Sequence, residues 1–218
     1  MKSIVLSLAR PRHRRLSLSD FCYLFKRYGV VFVFALLLLT GLALGAVYAQ
    51  NADAETLCSL DFLFTTNLDA RLSQGAFGTF CACFASDFIF LLGVYLLGIA
   101  AWGIPFLIVL VMFKGFGTGI TAGYLCLSHA LSGAGFYLLV LLPGTFVFCV
   151  ALIHFLKYSF AFSKRVFIGS VSKSEPIFSL RQELIQFTSR FLSALTVTFI
   201  ASLLDTLLWT LFAGTFQF

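Results

Sequence analysis

Five stretches of about twenty residues, nearly devoid of charge, dominate this chain, and each is long enough to cross the hydrocarbon core of a bilayer as a helix. They run from about Gly29 to Tyr48, Ser86 to Trp102, Pro105 to Leu127, Phe136 to Phe160 and Phe191 to Phe212. Lipid offers the backbone no hydrogen-bond partner, so such runs must bond internally as helices. Composition agrees: 60% of the 218 residues are hydrophobic and 11% charged, against about 25% charged in soluble domains. A chain this poor in charge cannot cover itself in water. The expected fold is all-α, a single polytopic membrane helical bundle over 1–218 with about five transmembrane helices. A cytosolic enzyme, a secreted disulfide scaffold, a disordered chain and a nucleic-acid binder are excluded.

The charges that remain are sorted by segment. Residues 1–28 hold seven Lys and Arg against Asp20. The stretch 49–87 has Asp53, Glu55, Asp61, Asp69 and Asp87 against Arg71, a net of −4. Residues 157–190 carry a net of +4. Positive charge collects on the cytoplasmic side of membrane proteins. This places the basic 1–28 segment, the N-terminus and a 161–190 loop in the cytoplasm, with the acidic 49–87 segment and the C-terminus outside. The overall net charge of +6 is thus a topology signal, with a secondary attraction to anionic lipid. Val47-Tyr48-Ala49 imitates a signal-peptidase site, but the preceding apolar run is longer than a cleaved leader uses, so an uncleaved anchor is expected.

Outside the membrane, 49–87 is too short for a core of its own and is expected to form one or two short helices over the bundle. On the cytoplasmic side Ser179, Gln182 and Glu183 resemble a capping box. Phe178, Leu180, Leu184, Ile185, Phe187 and Phe191 follow at near-helical spacing. Either an amphipathic interfacial helix leads into the fifth span or that span starts early. Six cysteines match no zinc or redox spacing and are read as structural thiols, a Cys58 bridge to Cys81 or Cys83 staying open. No phosphate loop, metalloprotease or nucleophile-elbow motif occurs, and His13, His129 and His154 are far apart. No catalytic residue, metal, cofactor, nucleic acid or small-molecule substrate is expected.

Ionisable groups within spans are more informative, because a charge at bilayer depth usually faces the protein interior. Lys114, Asp205 and His154 qualify. A lysine stem and helix tilt could bring Lys114 to Asp205, and a structural pair or a snorkelling lysine outweighs a transport pathway, since no chain of polar groups accompanies them. Beside Lys114, Gly115, Gly119 and Gly123 recur every fourth residue and strip one helix face of side chains, a close-packing device whose partner the spacing leaves open. Gly41 and Gly45 repeat the pattern once. Pro143, followed by Gly144, is expected to kink the fourth span.

Gly103-Ile104-Pro105-Phe106, then Phe113-Lys114-Gly115-Phe116 with Gly119 and Gly123, and later Leu141-Leu142-Pro143, resemble the stage II sporulation protein M family. Ala201-Ser202-Leu203-Leu204-Asp205 is similar to its carboxyl-terminal ending, with aspartate where glutamate is usual. The match is densest over about 88–165. The resemblance implies a multi-pass protein of an endospore former that performs no bond cleavage and holds two membrane-associated peptidoglycan hydrolases at the mother-cell septal membrane during engulfment. The alternative is a transporter or permease subunit using Lys114 and Asp205.

Overall fold

The computed structural model describes residues 18–52, 75–171 and 177–212. Among them every regular element is helical: α1 (Leu18–Asn51), α2 (Ala76–Ile99), α3 (Gly103–Phe136), a π turn (Tyr137–Leu141), α4 (Leu142–Val171) and α5 (Ile177–Phe212). Five segments are long and apolar enough to cross a membrane: Tyr28–Asn51, Ala76–Ile99, Gly103–Leu127, Leu131–Ser170 and Arg181–Phe212. The outward surface is correspondingly greasy, with Phe32, Leu39, Val109, Phe146 and Leu192 each more than half exposed. Most of the basic 1–28 segment and most of the 49–87 segment, including Cys58, lie outside the described residues.

Two reversals shape the bundle. Between α2 and α3 the turn is tight, the Gly103 N–H bonding the Ala100 carbonyl at 3.1 Å. A Cβ on Gly103 would run into the Leu97 carbonyl, so only glycine fits the expected hairpin there. The second reversal lies between Lys114 and Phe148. A straight helix would separate them by about 50 Å at 1.5 Å per residue, yet the Lys114 ammonium stands 4.8 Å from the Phe148 ring centroid. The fold-back falls between the spans Gly103–Leu127 and Leu131–Ser170.

Helix ends differ from expectation in two places. The acidic segment was drawn to Asp87, but α2 begins at Ala76, so Asp87 stands about 16 Å inside the helix at 1.5 Å per residue. Thr79, in the first turn of that helix, is 1% exposed and bonds its hydroxyl to the Gly75 carbonyl, which removes its cost in an apolar setting. The loop drawn over 161–190 is mostly helix as well, α4 running to Val171 and α5 starting at Ile177. The fifth helix therefore begins early instead of being preceded by a separate interfacial helix. The cause is Phe187, 4% exposed, which stacks on Phe162 at 4.8 Å and on Phe155 and Tyr95 at 5.3 Å. These rings tie the first turns of α5 to the bundle.

Pro143 disturbs the fourth span as expected, but through a π turn. The Leu142 N–H bonds the Tyr137 carbonyl five residues back. The wider turn makes room where the proline ring would otherwise press on the carbonyl four residues before it. Pro143 then sits at the start of α4, where a missing N–H costs least. The Thr145 hydroxyl bonds the Leu141 and Leu142 carbonyls at 2.9 and 3.0 Å, repairing the interrupted ladder.

Candidate functional site

The most extensive helix interface joins α1 to α3. Gly115, Gly119 and Gly123 build one side of it, and its other side is the α1 stripe Gly41, Gly45 and Ala49. A Cβ on Gly41 would strike the Met112 carbonyl, on Gly45 that of Phe116, on Gly115 that of Leu38 and on Gly119 that of Leu42. Each helix thus seats its backbone on the other's, in parallel. The pair is a two-sided small-residue zipper, in which dispersion and Cα–H···O contacts replace the hydrophobic gain that lipid does not supply. The glycine face expected from α3 meets a span of the same chain, and the brief Gly41/Gly45 repeat is its partner.

Lys114 does not pair with Asp205. Its Nζ lies 2.8 Å from Asp87 Oδ1, with side chains 9% and 14% exposed. Phe90 and Phe148 both place their rings 4.8 Å from the ammonium. The α3 face opposite its glycines carries the lysine toward α2 and α4, and Asp87 is within reach because α2 extends past it. Near mid-span such charges cost about 2.5–3.5 kcal/mol each unless paired, and the two phenyl faces add a cation–π contact. Asp205 sits instead against α4 at Gly144, where a Cβ would stand 2.5 Å from its Oδ1. The glycine after Pro143 is what leaves space for that carboxylate.

His154 joins neither group. It is exposed on α4, its Nε2 3.5 Å from the Tyr158 hydroxyl. The structure therefore scatters Lys114, Asp205 and His154 and gathers Lys114 with Asp87. Among the described residues no group of three or more His, Cys, Asp or Glu is placed to hold a metal. Cys81 and Cys83, read as lying outside, are within α2.

The other contacts between helices use side chains. Ser159 Oγ donates to the Val94 carbonyl at 2.7 Å and Ser163 Oγ to the Ala100 carbonyl at 2.8 Å, fastening α4 to the end of α2. On α5, Ala194, Thr198, Ser202 and Thr206 are buried at every fourth position. The three hydroxyls each bond the carbonyl four residues back at 2.8–3.0 Å. With that proton engaged, Thr and Ser pack as small apolar groups. This stripe escaped sequence reading because it contains no glycine; the spacing of four was its signal.

A five-span helical membrane bundle with a parallel small-residue zipper and an enclosed ion pair is the class that these features define. The family model described as Stage II sporulation protein M matches residues 29–209. The chain belongs to that family, one of sporulation membrane proteins. No curated protein and no solved structure matches it.

Proposed function

We propose that this chain is a non-enzymatic membrane scaffold that holds peptidoglycan hydrolases at the septal membrane during engulfment. The observation that carries the reading is the family match over residues 29–209, which takes in nearly all of the five spans. The interior is in keeping with it. Lys114 and Asp87 bond each other between phenyl rings, and the buried hydroxyls of α5 bond its own carbonyls, an arrangement suited to rigidity. Transport through Lys114 and Asp205 loses its motive, because Lys114 is engaged by Asp87.

In this reading the basic 1–28 and 157–190 segments favour a cytoplasmic N-terminus and α4–α5 junction, and five crossings would then leave the C-terminus outside. The acidic residues that precede α2 then face the wall, where hydrolases work, and segment 53–74 is the docking element. Tagged protein captured from sporulating cells and read by mass spectrometry tests this. Hydrolases accompany the wild type and are lost on deletion of 53–74, while the five spans still insert. Equal capture by the deletion variant, or solute- or proton-driven flux by the purified protein in liposomes, contradicts the reading.

A further inference from the structure

A cleft runs between α4 and α5 on the lipid-facing surface, built of two compartments that share Tyr158 and Arg190. The first, about 190 Å³, carries the charged side chains and reaches toward the α4–α5 junction past Arg165, Glu183 and Gln186. The second, about 120 Å³, runs toward the bundle middle past His154, Ala151, Ala194 and Val197. Polarity thus falls along the groove from a charged end to an apolar end. Depth fits the same gradient. Phe148 is level with the mid-span Lys114, and Tyr158 is ten residues further along α4, or about 15 Å at 1.5 Å per residue. That is half of the roughly 30 Å hydrocarbon thickness, so the Tyr158–Arg190 pair stands at headgroup level.

The charges in the cleft favour an anion. Glu183 is engaged by Arg165, which leaves Arg190 as the surplus positive charge among the described residues that line the cleft. The Arg190 guanidinium lies 5.1 Å from the centroid of the Tyr158 ring, so its plane is held in place. The Tyr158 hydroxyl and His154 Nε2, 3.5 Å apart, line the same compartment. A guanidinium fork with a phenol and an imidazole at its edge suits phosphate oxygens. Below it, Ala151, Ala194 and Val197, the last 38% accessible, offer an acyl chain an apolar track.

We propose that this cleft holds one anionic phospholipid, its headgroup phosphate on Arg190, Tyr158 and His154 and an acyl chain along Ala151, Ala194 and Val197. Basic pockets between spans are suited to such headgroups. The site stands on geometry independent of the scaffold role, so failure of one leaves the other intact.

The test is native mass spectrometry of the full-length protein released from nanodiscs of equal parts phosphatidylglycerol and phosphatidylcholine. Wild-type protein retains one phosphatidylglycerol in preference to phosphatidylcholine. Arg190→Gln weakens retention about fivefold, the effect of one basic residue at the surface. Arg190→Lys keeps the charge but loses the fork and the ring contact, and falls between. Lys164→Gln, exposed at the same end but outside the cleft, matches wild type. Tyr158→Phe is the second arm should Arg190→Gln not fold, and it too weakens retention. Equal retention of the two lipids by wild type, unchanged retention in folded Arg190→Gln, or displacement of the lipid by inorganic phosphate at the same concentration overturns the proposal.

Discussion

Where α1 meets α3, the contact is backbone on backbone through glycine, whereas α2, α4 and α5 are held by phenylalanine stacks and by hydroxyls donated to carbonyls. Both solve the same problem. In lipid an apolar side chain gains nothing by leaving its solvent for a neighbouring helix, so association depends on close fit and on polar contacts. The zipper obtains fit by removing side chains, and at Gly41, Gly45, Gly115 and Gly119 a Cβ would strike a backbone carbonyl. The aromatic half obtains it by interlocking large rings, and it can repack. One half should break abruptly under substitution and the other gradually.

Gly119→Leu should have the largest effect, because the new side chain begins on the Leu42 carbonyl and the helices must part. We expect a loss of more than about 4 kcal/mol, the range of severe backbone clash, seen as loss of a cooperative unfolding transition in detergent. Gly169→Leu, with nothing within 4 Å of its Cβ position, should match wild type. Similar behaviour of the two would remove the distinction between zipper and surface.

Lys114→Met should follow at about 3–5 kcal/mol, the cost of leaving one member of a buried pair uncompensated. Adding Asp87→Leu should restore most of that stability, whereas adding Asp205→Leu should not. Rescue by the Asp205 change would reassign the pair. Phe187→Ala should cost about 3 kcal/mol, near the low end for losing a buried phenylalanine, with a single broadened transition as Phe155, Phe162 and Tyr95 repack. Ser159→Ala, which removes one hydroxyl–carbonyl bond between α4 and α2, should cost about 0.6 kcal/mol, as interhelical hydrogen bonds in membranes do on average. A cost as large as that of Phe187→Ala would mean that hydrogen bonds, not rings, hold the second half.

Hydropathy alone made the five spans legible, and the spacing of Gly115, Gly119 and Gly123 exposed half of the zipper. The other half was present in Gly41 and Gly45 but carried little weight, because a single repeat of small residues is common in membrane helices and only contact distinguishes a used one. The ion pair was misassigned for a different reason. Asp87 reads as the end of the acidic outer segment, since hydropathy scores a residue by its water-facing cost, while in the fold it lies within α2 and finds Lys114. Partners separated by 27 residues are set by helix packing, which no local pattern records. The proline predicted a disturbance in the fourth span, yet whether it kinks, breaks or widens the helix depends on neighbours such as Thr145.

The claim on which the rest depends is that α1 and α3 of one chain form the zipper. Ala49 and Gly123 are the pair to test, since a Cβ on Gly123 would stand 2.7 Å from the Ala49 Cβ, and a shift of about 1 Å brings it into the disulfide range. Ala49→Cys combined with Gly123→Cys, oxidised in native membranes on a background with the six native cysteines replaced, should cross-link within one chain and run as a monomer, with neither single variant doing so. Cross-linking only between chains, or none at all, would place the glycine face against another molecule and contradict the account.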